Sequence, residues 1–301
     1  MAVMGIGGLG MSTVEMIRSL RRPGAIGIAV ATNVAGVPIL MMLAIAATRW
    51  WSPSGLSDAD VGGMVVASLV PCTLASAVVW TRRAAGDVTI PLVTTTVTNL
   101  ASPLVLSVGV VVMAQTLKIE SFQFGRRGEI GPTLVKLTLV VVLPLIAAQL
   151  MRQSAGCRRW ATTHRRTLSM VAQAGVLVMI AFGSAAGAIS QTDRGWFPSI
   201  SPLVAMLVAM VHVAAFAVAA GGVTVLNRHS DAVLIRPLRA AVGVSASQKT
   251  LMVGLGVALD MGVSVAPMIA YHVLQLIIDT VLCRPSRYPP SESDRSGDSE
   301  P

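Results

Sequence analysis

The chain has 301 residues, 53% hydrophobic and 12% charged, with a mean hydropathy of +0.71. Soluble domains carry about 25% charged residues, so the composition excludes a soluble globular protein and points to an all-α polytopic membrane protein. The formal charge of +9 comes from Arg residues in short loops, where they set topology; no soluble basic domain exists to bind nucleic acid.

Residues 1–11 are apolar but too short to cross a bilayer of about 30 Å at 1.5 Å per residue. They lack a basic n-region and a cleavage site, so they do not read as a signal peptide. They run into Ser12-Thr13-Val14-Glu15, a capping box that opens an amphipathic stretch ending at Arg21-Arg22-Pro23. The chain therefore reads as beginning inside a span. Further spans are predicted over 24–47, 61–80, 88–114, 131–151, 168–190, 198–223, 240–259 and 263–283. The Pro/Ser/charge-rich tail, 284–301, reads as disordered.

Two of these spans are interrupted. The stretch VGGMVVASLVPCTLASAVVW carries Pro71 at its centre, and AAVGVSASQKTLMVGLGVAL carries Gly243, Ser245, Ser247, Gln248 and Lys249. Proline removes an amide donor and a Gly/Ser-rich run is weakly helical. Unwinding is therefore expected at Pro71 and over 243–247, with the two spans crossing near the bilayer midplane. Unpaired backbone at that depth persists only where protein or a wet cavity covers it, and paired interruptions point to a transporter's binding site.

Loop charges orient the chain. Lys and Arg divide fifteen to five between alternate sets of loops, so the richer set, which includes the tail, reads as cytoplasmic. The expected location is the bacterial inner membrane, multi-pass, with a cytoplasmic C-terminus. Counting the partial start, four elements precede the long loop at 115–130 and five follow it. Five plus five would give inverted repeats. One helix lost ahead of Met1 brings the two broken spans into correspondence, which leaves about nine spans and a lipid- or partner-facing groove.

Polar side chains inside the spans are the candidate site. Thr95, Thr98, Asn99 and Ser102 share one helical face; their oxygens suit a cavity or a cation, or equally bonds between helices. Lys249 places a cation in mid-membrane, costing roughly 2.5–3.5 kcal/mol on insertion scales, with no acid in its own span; Ser245, Ser247 and Gln248 add donors and acceptors beside it. His212 and His272 read as hydrogen-bonded packing and Lys136 as a snorkelling residue. Asp279 falls near a span end and reads as facing the cytoplasmic interface. The scattered Cys72, Cys157 and Cys283 indicate neither disulfides nor a metal site. There is no HExxH, GxSxG or P-loop, so the chain is not read as an enzyme. No cofactor is indicated; the candidate coupling ion is a sodium ion or a proton.

The start MAVMGIGGLGMSTVEMIRSLRRP, the stretch GDVTIPLVTTTVTNLASPL, and the pieces SQKTL at 247–251 and AYHVLQL at 270–276 resemble the bile acid:sodium symporter family, and the last two its seventh-member branch. The resemblance implies a ten-helix fold with two crossed discontinuous helices. It also implies a division into panel domain (1–22 and 131–190), core domain (24–114 and 198–283) and tail. Thr95 falls on a sodium-ligand threonine and Ser76 near the Ser-Asn pair of the first crossing helix. The pattern departs at Ala77, at Pro91, at Ser245 in place of an acid and at Lys249 in place of a glutamine. These departures count against sodium coupling, because a fixed ammonium supplies a cation's charge without an ion. The implied function is secondary transport of a small organic anion by alternating access; the other reading is a transport-inactive membrane protein with a regulatory or assembly role.

Overall fold

The computed structural model describes residues 22–119, 143–164, 200–228 and 232–284, with scattered positions between 139 and 178 besides. The expected partial helix over 1–21, most of the spans at 131–151 and 168–190, and the tail from 285 lie outside the described residues. Among the described residues every regular element is helical. In chain order these are α1 (Pro23–Trp51), α2 (Asp58–Leu69), α3 (Leu74–Arg83), α4 (Thr89–Leu117), α5 (Leu143–Met151), α6 (Ala155–Thr163), α7 (Pro202–Leu226), α8 (Ala232–Ser247), α9 (Leu251–Asp260) and α10 (Ala266–Leu282). Helices α1, α4 and α7 are each long and apolar enough to cross a membrane, and α2 with α3 makes a fourth such unit, bent by 64°.

Local chemistry fixes the ends. Ser57 caps α2 by accepting from Asp60 N (3.1 Å), with Asp58 and Asp60 in the first turn favouring its positive end. The helix stops at Leu69 because Val70 precedes a proline and is driven into the extended region, at φ −64° and ψ 151°. Helix α1 starts at Pro23, whose missing N–H costs nothing in a first turn. Its interior widens to a π turn over Thr32–Gly36. The cause is Pro38, which lacks an N–H and crowds the carbonyl one turn behind it; the wider turn absorbs that clash. Val37 N–H then reaches back to Thr32 O.

The second interruption falls at Gln248-Lys249-Thr250, between α8 and α9, and not over 243–247. The helix survives the Gly/Ser run for two reasons. Ser245 and Ser247 turn their hydroxyls inward onto Ala241 O (2.6 Å) and Gly243 O (2.9 Å), within the helix. Gly243 serves close packing rather than unwinding: a Cβ there would lie 2.8 Å from the Phe216 ring on α7.

The core is one continuous apolar cluster drawn from α1, α2, α4, α7, α9 and α10, with Met41, Ile45, Met64, Leu106, Leu255 and Tyr271 among its largest fully buried members. A second cluster joins the start of α1 to α7 and α8. Backbone packs tightly where α2 meets the turn before α10: a Cβ on Gly63 would lie 2.1 Å from Ser264 O, and Ser264 N donates to Ala59 O at 3.0 Å. The outward residues of the long helices, such as Leu43, Leu104, Val112, Met206 and Val218, are large, apolar and exposed, as a lipid-facing surface requires.

Candidate functional site

The two breaks meet. Thr250 N–H, in the second, donates to Pro71 O, in the first, at 2.9 Å. Every helix interruption strands backbone groups, and buried ones must find partners. The crossing answers that demand with side chains from four neighbouring helices.

Helix α4 serves the first break. Cys72 N–H donates to Thr98 Oγ1 (3.2 Å), and Asn99 Nδ2 donates to Cys72 O (3.5 Å) as well as to Thr95 O (2.7 Å). Thr98 and Asn99 therefore hold the unwound chain, and Ser102 bonds back to Asn99 O at 2.8 Å. Thr95 is different. It is 4% exposed, yet its hydroxyl has no hydrogen-bond partner among the described residues, a condition uncommon enough to need a reason. The neighbouring Thr94 hydroxyl is also buried and unpartnered.

The second break is served from α1, α7 and α10. Asn33, in the π turn of α1, donates through Nδ2 to Ala246 O and Gln248 O, both at 3.0 Å, and more weakly to Ser245 O at 3.4 Å. Gln275 on α10 takes Lys249 N–H on its Oε1 (2.9 Å) and returns Nε2 to Lys249 O (3.0 Å), also donating to His272 Nδ1 at 2.9 Å. Ser247 O receives Tyr271 OH at 2.9 Å. The main chain around Lys249 is thus accounted for atom by atom.

Lys249 itself is 3% exposed. Its ammonium donates to Asn33 O (2.6 Å) and to Asn33 Oδ1 (3.2 Å). That backbone oxygen is available because of the π turn: Val37 N–H is taken by Thr32 O, and residue 38 is a proline with no N–H to offer. One proline in α1 thereby shapes an acceptor for a lysine 216 residues further on. No carboxylate pairs with Lys249 among the described residues.

Gln248 bridges the breaks laterally. Its Oε1 accepts from Ser76 Oγ on α3 (2.7 Å), and its Nε2 donates to Asp279 Oδ2 on α10 (2.6 Å). Both ends of the amide are engaged inside the protein. Asp279 is fully buried, not at an interface, and its Oδ1 lies 3.0 Å from His212 Nε2 on α7. The expectation that it faces the cytoplasmic surface is therefore corrected: its position late in α10 is offset by α7 and the second break, whose His212 and Gln248 cover it. His212 is buried and hydrogen-bonded, as expected, and its partner is an acid.

The structure thus gathers Ser76, Gln248 and Lys249 with Asn33, His212, Tyr271, Gln275 and Asp279. Thr95, Thr98 and Asn99 stand on the first-break side. Ser245 and Ser247 contribute their carbonyls, since their hydroxyls are turned into the helix. Asn33 and Gln275 were missed by the sequence reading. A lone Asn five residues before Pro38, in a largely apolar helix, was the available signal for the first. Among the described residues no cluster of His, Cys, Asp and Glu could hold a metal ion.

No curated protein matches the chain. A family model does match, over residues 1–287, which takes in both broken helices and the polar crossing between them. The chain belongs to the SBF-like CPA transporter family, a family of membrane transporters rather than of enzymes.

Proposed function

We propose that this protein is a secondary transporter that carries a small organic anion across the cell membrane by alternating access, with Lys249 standing where a coupling cation would otherwise bind. The observation that carries the reading is the seating of the Lys249 ammonium at the crossing, on Asn33 O (2.6 Å) and Asn33 Oδ1 (3.2 Å), with no carboxylate partner among the described residues. An ammonium has three N–H groups. Two are used by Asn33; the third, together with the unpartnered Thr95 hydroxyl on α4, the helix that serves the first break, suits an anionic oxygen. A buried cation is costly unless something compensates it, and an anionic substrate is that compensation. Inverted five-helix repeats, with panel and core domains rocking about the crossing, are the architecture this mechanism requires.

The test is uptake of radiolabelled taurocholate, as a probe organic monoanion, into proteoliposomes with and without an inward sodium gradient. The expected result is protein-dependent uptake that needs no sodium. Lys249→Ala abolishes it or makes it sodium-dependent, and Lys249→Gln, which keeps hydrogen bonding but loses charge, separates electrostatics from polarity. Absence of uptake of this probe and of a panel of smaller carboxylates by folded protein would overturn the reading, in favour of a regulatory or assembly role. Sodium-driven uptake by the unaltered protein would overturn the role given to Lys249.

A further inference from the structure

We infer that His212 and Asp279 form a proton-binding site, and that the proton they hold enters and leaves together with the anion; the second half of this rests on the anion-transport reading above. The argument starts from hydrogen-bond directions. His212 Nδ1 lies 3.3 Å from Ser247 O, and His212 Nε2 lies 3.0 Å from Asp279 Oδ1. A carbonyl oxygen only accepts, so Nδ1 carries a hydrogen. The Nε2–Oδ1 contact then needs one hydrogen more. It sits on Nε2, giving imidazolium and carboxylate, or on Oδ1, giving imidazole and carboxylic acid. Either way the pair is neutral as a unit and holds one proton more than an isolated imidazole and carboxylate would.

Removing that proton to water breaks a contact whichever tautomer results. A bare Nε2 faces a carboxylate, or a bare Nδ1 faces the Ser247 carbonyl. Both residues are at most 1% exposed, so no solvent softens the loss. Ser247 ends helix α8 at the break, so the protonation state of the pair acts directly on the unwound segment that carries Lys249. The pair also touches that segment through Gln248, which donates to the other carboxylate oxygen at 2.6 Å.

The surrounding charges complete the picture. Lys249 comes from the second break and Cys72 from the first; Tyr271 and Cys283 flank Asp279 along α10 and feel its charge, with Arg83 beside Cys283. His272 is engaged by Gln275, and Asn33 from α1 and Ser76 from α3 are neutral. With the pair protonated, Lys249 leaves the crossing with one net positive charge, which a monoanion neutralises. With the pair deprotonated, Lys249 is balanced internally and the anion loses its counter-charge. Proton and monoanion therefore load together, and both the loaded and the empty carrier cross the membrane neutral, the cheaper condition in hydrocarbon.

The test uses purified full-length protein in micelles, with no added anion or sodium. Proton uptake is counted on acidification across the whole pH range over which the protein stays folded. His212→Gln and Asp279→Asn, with melting curves matched to the parent, are expected to take up about one proton fewer per molecule. In case neither folds, nitrogen NMR of the histidine-labelled parent reads the ring directly: at the acid end the ring of His212 carries hydrogen on Nδ1. A bare Nδ1 there, or unchanged proton uptake in both variants, would overturn the inference while leaving the transporter reading intact. A sodium-free acid-outside gradient that accelerates taurocholate uptake in the parent and not in the variants supports the coupling. Proton uptake that depends on both residues, without any taurocholate movement, upholds the proton site and counts against the anion reading alone.

Discussion

Replacing Asn33 by Leu tests the reasoning about the second break most directly. Leucine is close in size, so the change removes polar contacts rather than opening a cavity. Four interactions go: the donors to Ala246 O and Gln248 O at 3.0 Å, the weaker one to Ser245 O at 3.4 Å, and the Oδ1 acceptor for Lys249 at 3.2 Å. Bonds between membrane helices average about 0.6 kcal/mol, and a charge-assisted bond contributes about 1.5–3 kcal/mol, so the expected loss is about 3 kcal/mol. Lys249 keeps its bond to the Asn33 backbone oxygen in this variant, so the change isolates the side-chain term. A double-mutant cycle with Lys249→Met then gives a coupling of about 1.5 kcal/mol. The assay is reversible unfolding in mixed micelles by added denaturing detergent, followed by circular dichroism. A loss below about 0.5 kcal/mol for Asn33→Leu, or a coupling below about 0.3 kcal/mol, would refute the claim that this amide holds the break and its lysine.

Thr94→Val and Thr95→Val remove buried hydroxyls without partners, so both are expected to leave the melting temperature unchanged or raise it, by up to about 1 kcal/mol in stability; Thr95→Val alone is expected to lower taurocholate uptake, and a clear destabilisation of either would show a partner the structure lacks. Gly243→Val drives a side chain into the Phe216 ring and is expected to cost about 1–3 kcal/mol, with Phe216→Leu recovering part of it in the same detergent titration; no cost would show that α7 and α8 are not in close contact. Asp58→Asn breaks an exposed pair with Arg49, in which the Asp58 side chain is half exposed. Its effect on melting is expected to fall below about 1 kcal/mol, and a larger one would mean that the end of α1 is more rigidly tied to α2 than an exposed pair allows.

What the sequence made legible follows from the range of the forces involved. The first break is local chemistry: Pro71 acts on Val70, its chain neighbour, and one proline suffices to place it. The second break was expected over 243–247 because glycine and serine are weak helix formers, yet the helix runs on to Ser247. Packing against Phe216 and inward hydroxyl bonds outweighed propensity there, and neither can be read from a window of sequence. Lys249 stood out because a charge in an apolar run is visible at once. Its partner did not, because Asn33 acquires its role from a π turn caused by a proline five residues later. Asp279 was misplaced for a related reason. Nearness to the end of a span suggests exposure, whereas the crossing brings His212 of α7 and Gln248 of the second break against that end and buries the carboxylate completely.

The bond from Thr250 N–H to Pro71 O uses main-chain atoms alone. No substitution that keeps the residue 250 amide N–H deletes it, so an alanine scan would pass over the strut that ties the two halves of the crossing together; Thr250→Pro, which removes that N–H, would sever it. An ester in place of the amide at residue 250 would sever it while leaving the threonine side chain in place. The side chains around the crossing seat each unwound segment against its neighbouring helices, whereas this bond fixes the two segments against each other whatever those side chains are.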